Sequence, residues 1–331
     1  MNRKVRWGIL STAAIARETI IPAIQRANNA EVVAIASGSG KANSVAKKLG
    51  IPIAYDSYDQ LLDDPNVDAV YIPLPNSMHT EWTVKTANKQ KHVLCEKPAA
   101  LREADVRKMV EVCEKNNVFF MEAFMYQFHP QHQRVKGIIS SGEIGDIKCM
   151  RSSFSFYLRD RETNIRMNAQ LGGGSLFDVG CYCVHSIRNL LDSEPAELFV
   201  QSNYDEQHSI DMTTSGWMKM KNGVHALFDC SFEMFSQQKY EIIGTKGKVE
   251  VSRAYRPDAY GGNGIITVAT DSGETREEVV SGDQYVLEIE HASRCILEGK
   301  QPLYSRSNMI QQARVLEACY TSMRTGKVIQ F

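Results

Sequence analysis

Two clusters in this chain combine residue types that can move protons. The first is Glu96-Lys97-Pro98, which follows the apolar run His92–Cys95. A lysine at the carboxyl end of a parallel strand stands where open α/β sheets bind ligands. Beside a positively charged group its pKa falls, and it can then take part in proton transfer. An isolated Glu-Lys-Pro is also an ordinary surface turn. The second cluster runs from Gly172 to His185 as GGGSLFDVGCYCVH. Three glycines let the backbone pass close to another group, and a helix is expected from about Ser175. Asp178 and Tyr182 lie four residues apart and share one helical face, with His185 three beyond Tyr182. Asp, Tyr and His on one face form an acid–base platform. The same residues equally suit a packed helix, with Tyr182 and His185 half buried and Asp178 near the N-terminus for its dipole.

A third feature could hold an anion. The apolar run Val5–Leu10 leads into Ser11-Thr12-Ala13-Ala14-Ile15-Ala16. A dinucleotide-binding turn places G-x-G-x-x-G/A after the first strand, so that the backbone reaches the pyrophosphate and the next helix points its N-terminus at it. Here the three positions are Ser11, Ala13 and Ala16, which keep the smallness without the glycines. The second apolar run, Glu31–Ala36, is followed by Ser37-Gly38-Ser39-Gly40-Lys41. No carboxylate stands there to accept from a ribose 2′-hydroxyl. Ser37, Ser39 and Lys41 suit a 2′-phosphate, which favours NADP over NAD. The alternative is a plain turn with a solvated lysine.

The elements that must position these residues follow from the apolar pattern. Strands are expected at Val5–Leu10, Glu31–Ala36, Ala54–Tyr55, Ala69–Ile72, His92–Cys95 and Val118–Met121. Helices are expected between them at Ala14–Asn28, Ala42–Leu49, Tyr58–Leu62, His79–Asn88 and Glu103–Asn116. This alternation predicts an α/β domain, a Rossmann doubly wound parallel sheet, over residues 1–123. From 124 to 331 the rhythm changes. Helices at Gln133–Ser140, Ser175–Leu191, Val286–Leu297 and Asn308–Arg324 frame longer strand-like runs from Ile147 to Val251. Turns such as Asn222-Gly223 separate several of those runs. This half predicts an α+β domain with a mostly antiparallel open sheet.

Composition narrows the function further. The 331 residues exceed what one hydrophobic core usually serves, so two domains are expected. Lys plus Arg number 38 and Asp plus Glu 39, a net charge of -1 that gives no footprint for nucleic acid. No run approaches the roughly 20 apolar residues of a membrane span. The eight cysteines are scattered, with no metal-ligand spacing. They read as reduced, packed thiols of a cytoplasmic protein.

Taken jointly, WGILSTAAIA, PLPNSMH at 73–79, EKP at 96–98, MEAFMYQFHP at 121–130 and GGGSLFDVGCYCVH at 172–185 resemble the Gfo/Idh/MocA family, that of glucose–fructose oxidoreductase and inositol dehydrogenase. The resemblance covers essentially the whole chain. It is strongest toward the dihydrodiol dehydrogenase and NADP-dependent xylose dehydrogenase branch. It implies an NAD(P)-dependent dehydrogenase or reductase acting on CH–OH groups of a sugar, inositol or related diol. Lys97 would be the catalytic lysine and Tyr182 the proton donor or acceptor. Asp178 would position the substrate hydroxyl, with His185 beside it. Ser11, Thr12, Ala13, Ala14 and Ile15 would cradle the pyrophosphate, and Ser37, Gly38, Ser39 and Lys41 the ribose. Pro73, Leu74, Asn76 and His79 would line the dinucleotide, with Glu96 and Ala123 near the nicotinamide. Arg166 would reach a phosphate or the substrate. The family's usual glycines are absent at Ser11 and Ala13. The arginine common after strand two in NADP-using relatives is absent too, so NAD stays open. Relatives often pair through the open sheet, which implies a homodimer or homotetramer. Redox-assisted glycoside cleavage, keto-sugar reduction and a non-catalytic dinucleotide sensor are the alternatives on the same fold.

Overall fold

The computed structural model describes residues 3–331. It divides into two compact units. One comprises the residues up to Met125 together with Tyr285–Ala313; the other comprises Tyr126–Gln284 and Arg314–Phe331.

In the first unit, short apolar strands alternate with helices. They are β1 (Val5–Leu10), α1 (Ile21–Arg26), β2 (Ala30–Ala36), α2 (Ala42–Leu49), β3 (Ile53–Tyr55), α3 (Tyr58–Asp63), β4 (Ala69–Ile72), α4 (His79–Asn88), β5 (His92–Glu96), α5 (Glu103–Lys115) and β6 (Phe120–Ala123). The strands pair in parallel in the order β3-β2-β1-β4-β5-β6. The order reverses beside β1, which makes the carboxyl ends of β1 and β4 a topological switch point. All four residues of β4 are buried, as a strand covered on both faces requires. Helix α2 stops where Gly50 turns left-handed at φ +67°. Helix α3 starts where Ser57 accepts a hydrogen bond from the Gln60 N–H.

The second unit is built on one sheet. It contains α6 (Pro130–Ser140), β7 (Ile147–Tyr157), α7 (Cys181–Leu191), β8 (Pro195–Asp205), β9 (Ile210–Met220), β10 (His225–Ser231), β11 (Glu233–Gly244), β12 (Gly247–Val251), β13 (Asn263–Thr270) and β14 (Thr275–Ser281). Helices α8 (Gln284–Glu298) and α9 (Arg306–Thr325) and the short strand β15 (Ile329–Gln330) close the chain. The nine strands run in the order β14-β13-β12-β11-β7-β10-β9-β8-β15, antiparallel except where β10 meets β7. Helix α7 is buried nearly all round and lies against β7 and β10.

The chain returns to the first unit where the sequence pattern had it stay in the second domain. Residues 285–313 pack with β1 and β6. The Trp7 indole N–H donates to Ser293 Oγ at 3.1 Å. The Arg306 guanidinium donates to Val118 O at 3.0 Å. Ile289 and Ala292 of α8 are fully buried. An amphipathic helix buries its apolar stripe against whichever sheet face is uncovered, and local sequence does not say which face that is. The hairpin β13–β14 and the strand β15 also lay outside the expected strands. Strand β14 alternates exposed and half-buried residues, so its apolar signal is weak.

Candidate functional site

The turn after β1 has the backbone of a dinucleotide-binding loop without its glycines. Ser11 has φ +117°, a region that side-chain-bearing residues rarely enter and glycine enters freely. Its amide donates to Ala36 O at 2.8 Å. Its Oγ accepts from the Ala13 N–H at 3.1 Å, which offsets part of the strain. The Arg17 Nε donates to Thr12 O at 2.9 Å. The helix then opens with a π-turn, Ala16–Ile20, before continuing as α1. Ala14 and Ile15 stand at its mouth. At the end of β2, Ser37 is buried and its Oγ lies 2.8 Å from Ser39 Oγ, while Gly38 and Lys41 face solvent. A small-residue turn in a positive-φ conformation at the switch point fits a bound dinucleotide.

The EKP turn is pinned by three buried side chains. The Tyr71 hydroxyl donates to Glu96 Oε1 at 2.5 Å. His79 is fully buried, with Nδ1 at 2.9 Å from Pro98 O and Nε2 at 2.8 Å from Leu74 O. One imidazole thus ties the Pro73-Leu74 segment to the residue after Lys97. Burial is the main influence on that imidazole and pushes its pKa down. Glu122 accepts from the Ala99 N–H at 2.7 Å. Lys97 itself is partly exposed, and the Lys97–Pro98 bond is cis. Ala123 is buried directly across the ladder from Glu96. Asn76 opens a short 3-10 turn beside Leu74. His79 was expected to line the cofactor; its position is that of an interior staple.

The second unit holds Asp178 and Tyr182 on one helix. The helix opens with a π-turn, Leu176–Gly180, and continues as α7. π-Turns inside helices are often found at functional sites. Asp178 lies in the π-turn and accepts from Arg166 Nε at 2.6 Å. The Asp178 carboxylate is the main reason the Arg166 guanidinium holds its proton more tightly than usual. Tyr182 is buried, its ring 5.8 Å from Tyr126, 5.4 Å from Phe154 and 5.5 Å from Tyr255 between centroids. The glycines now have a reason. A Cβ on Gly173 would lie 2.3 Å from Arg166 O, and one on Gly174, at φ +114°, would lie 2.2 Å from Asp211 Oδ1. Glycine lets Arg166 and Asp211 close on the helix start.

Asp211 is the site residue that the sequence pattern concealed. It is buried, and it accepts from Ser175 Oγ at 2.8 Å, Leu176 N at 2.6 Å and the Tyr320 hydroxyl at 2.9 Å. Burial pushes its pKa up despite those donors. A carboxylate at the first turn also complements the positive end of the helix dipole and fixes the helix that carries Tyr182. Tyr71 and Glu122 were likewise hidden in apolar strands. His185, expected beside the substrate, is interior: it is 1% exposed and its Nδ1 lies 2.5 Å from the Tyr126 hydroxyl. Among the described residues, no group of three or more His, Cys, Asp or Glu could hold a metal ion.

This geometry meets known proteins at both ends of the chain. Residues 5–124 match the model of the oxidoreductase family with an NAD-binding Rossmann fold, GFO_IDH_MocA, and residues 132–250 match the GFO/IDH/MocA C-terminal domain. The chain belongs to the GFO/IDH/MocA family of oxidoreductases. It is 37% identical to a D-xylose 1-dehydrogenase (NADP(+)) of Haloferax volcanii over 98% of this chain and 99% of that one. It is 30% identical to a trans-1,2-dihydrobenzene-1,2-diol dehydrogenase of Xenopus laevis, over 94% and 96%. A 3-ketoreductase from Actinomadura kijaniata, solved in complex with NADP and TDP-benzene, superimposes with a TM-score of 0.91 at 27% identity, covering 97% of this chain and 98% of that one. The family accounts for the oxidoreductase fold and activity. Among the described residues, no helix is long and apolar enough to cross a membrane.

Proposed function

We propose that this oxidoreductase uses NADP(H) in preference to NAD(H) and acts on a hydroxyl or keto carbon of a sugar or related diol. The observation that carries the reading is Lys97, on a turn held by Tyr71, His79 and Glu122 at the carboxyl end of β5. A positioning network of that kind makes sense where one cation must stand within a few tenths of an ångström of its task. Cofactor binding falls to the first unit and substrate binding to the second. The xylose and dihydrodiol dehydrogenases and the ketoreductase, named for NADP or for sugar and diol substrates, support the same assignment.

When bound, the nicotinamide supplies the hydride acceptor or donor. Every other task falls to side chains. Tyr182 exchanges the proton of the reacting hydroxyl, and Lys97 supplies the positive charge of the acid–base chemistry. Asp178, oriented by Arg166, accepts from a substrate hydroxyl and fixes the ring. Ser11–Ile15 hold the pyrophosphate, and Ser37, Ser39 and Lys41 take the ribose phosphate. We assign His185 to holding Tyr126, and through that ring the Tyr182 pocket, rather than to substrate contact. The eight free cysteines support a cytoplasmic setting. The open face of the nine-stranded sheet, where Trp217 and Leu227 lie among Arg151, Lys239 and Glu241, suits pairing with a second copy. Light scattering reads that state directly.

The test is fluorescence titration with NADPH and NADH, followed by a polyol and sugar screen with the oxidised form of whichever cofactor binds tighter. Micromolar NADPH binding with stoichiometric formation of reduced cofactor supports the reading. Absence of binding to either dinucleotide sinks it, and cofactor recycling without net reduction would favour glycoside cleavage instead.

A further inference from the structure

A hollow of about 460 Å³ lies between the start of the first helix and α2. Thr12, Arg17, Glu18, Lys41, Ser44 and Lys48 all line it. Three cations there face one carboxylate. The Arg17 guanidinium is fixed in place, because its Nε donates to Thr12 O at 2.9 Å. Its outer nitrogen lies 3.5 Å from Glu18, with the two side chains 39% and 68% exposed. So exposed and long an ion pair contributes little and yields readily to a stronger anion. On the opposite wall, Ser44 Oγ donates to Lys41 O at 2.9 Å, and Lys48 stands one helical turn beyond Ser44.

The position of the hollow says which anion. Helix α2 follows β2, and in a doubly wound sheet the adenosine ribose lies over the carboxyl end of that strand. With the pyrophosphate held at Ser11–Ile15, a substituent on the ribose 2′ oxygen would be taken by residues at the β2–α2 connection. The Ser37 and Ser39 hydroxyls stand at that same strand end. We propose that Arg17 and Lys48, with Lys41, receive the 2′-phosphate of NADP, and that Arg17 is the residue that separates NADP from NAD. This rests on the NADP reading above. A guanidinium keeps its charge at every accessible pH and meets a phosphate through two parallel N–H donors, which a turn lysine does not match.

The experiment measures dissociation constants for NADPH and NADH, and displacement by 2′,5′-ADP against 5′-ADP, in the wild-type protein and in Arg17→Gln, Arg17→Lys and Lys48→Gln. Wild-type preference for NADPH and for 2′,5′-ADP is the premise; if it is absent, the NADP reading fails and this inference fails with it. Given that premise, Arg17→Gln is expected to weaken NADPH on the order of tenfold or more while NADH is unmoved, with Arg17→Lys recovering part of the loss. Lys48→Gln, an exposed position near the end of α2, is expected to show the same selective loss in smaller degree, and it keeps the test open if Arg17→Gln melts early. Equal weakening of NADPH and NADH would mean that Arg17 merely shapes the turn through Thr12. No change in either would mean that the hollow takes no phosphate. Both results overturn the proposal.

Discussion

Glu288 offers a direct check on the buried electrostatics of the first unit. It is 0% exposed on α8, and neither carboxylate oxygen has a hydrogen-bond partner among the described residues. An isolated buried carboxylate is costly enough that the group takes up a proton instead. Burial pushes its pKa well above the ordinary carboxylate range, and the nearby Glu96 charge pushes in the same direction. The folded-state pKa is therefore raised above the unfolded one. Below both values the group is protonated in either state and makes no pH-dependent contribution. As pH rises through the unfolded value, the unfolded chain ionises and the folded one does not, so stability falls by about 1.4 kcal/mol per pH unit until the folded pKa is reached. Glu288→Gln keeps the shape and removes the titration. Relative to wild type it should gain about 1.4 kcal/mol per pH unit inside that window. For domains of roughly 150–250 residues, each kcal/mol moves Tm by about 2–4 °C. The assay is calorimetric melting of both proteins from pH 5 upward. Parallel Tm profiles would refute the reasoning, because they would mean that Glu288 ionises in the folded state at no cost.

Other predictions follow from the site itself. Ser11→Gly relieves the +117° backbone but loses the bond to the Ala13 amide, so it should melt no lower than wild type. Ser11→Ala keeps the strain, loses the bond and should cost about 1 kcal/mol in denaturant titration. Arg166→Ala leaves Asp178 without its orienting partner, and kcat should fall roughly 10–100-fold with NADPH affinity unchanged. A fall in NADPH affinity would instead assign Arg166 to the cofactor. Lys97→Ala and Tyr182→Phe should each lower turnover by at least about 100-fold while still binding cofactor, and wild-type turnover in either would remove it from the mechanism. Tyr320→Phe removes one donor from buried Asp211 and should cost about 1–3 kcal/mol of stability, read by urea unfolding.

Local pattern carried much of this molecule. Val5–Leu10, Ala42–Leu49, Ala69–Ile72 and His79–Asn88 are elements whose bounds could be read from apolar period and from stops such as Gly50. Lys97 at the end of β5, and Asp178 and Tyr182 on one helix, followed from the same pattern, because strand ends and helical spacing are local properties. Smallness at Ser11 and Ala13 could also be read, though only the backbone shows that Ser11 adopts a glycine conformation.

Tertiary structure decided everything that depends on partners far along the chain. Tyr71 meets Glu96 across 25 residues, Asp211 meets Leu176 across 35 and Trp7 meets Ser293 across 286. No window of sequence contains both members of those last two pairs. A polar residue inside an apolar strand, such as Glu122, looks like an interruption until the Ala99 amide arrives to satisfy it. The same holds for His185, whose type suggested chemistry and whose burial beside Tyr126 gives it packing. Residues 285–313 joined the first unit because the sheet there had apolar surface left to cover, which is a property of the folded sheet and not of the helix that covers it.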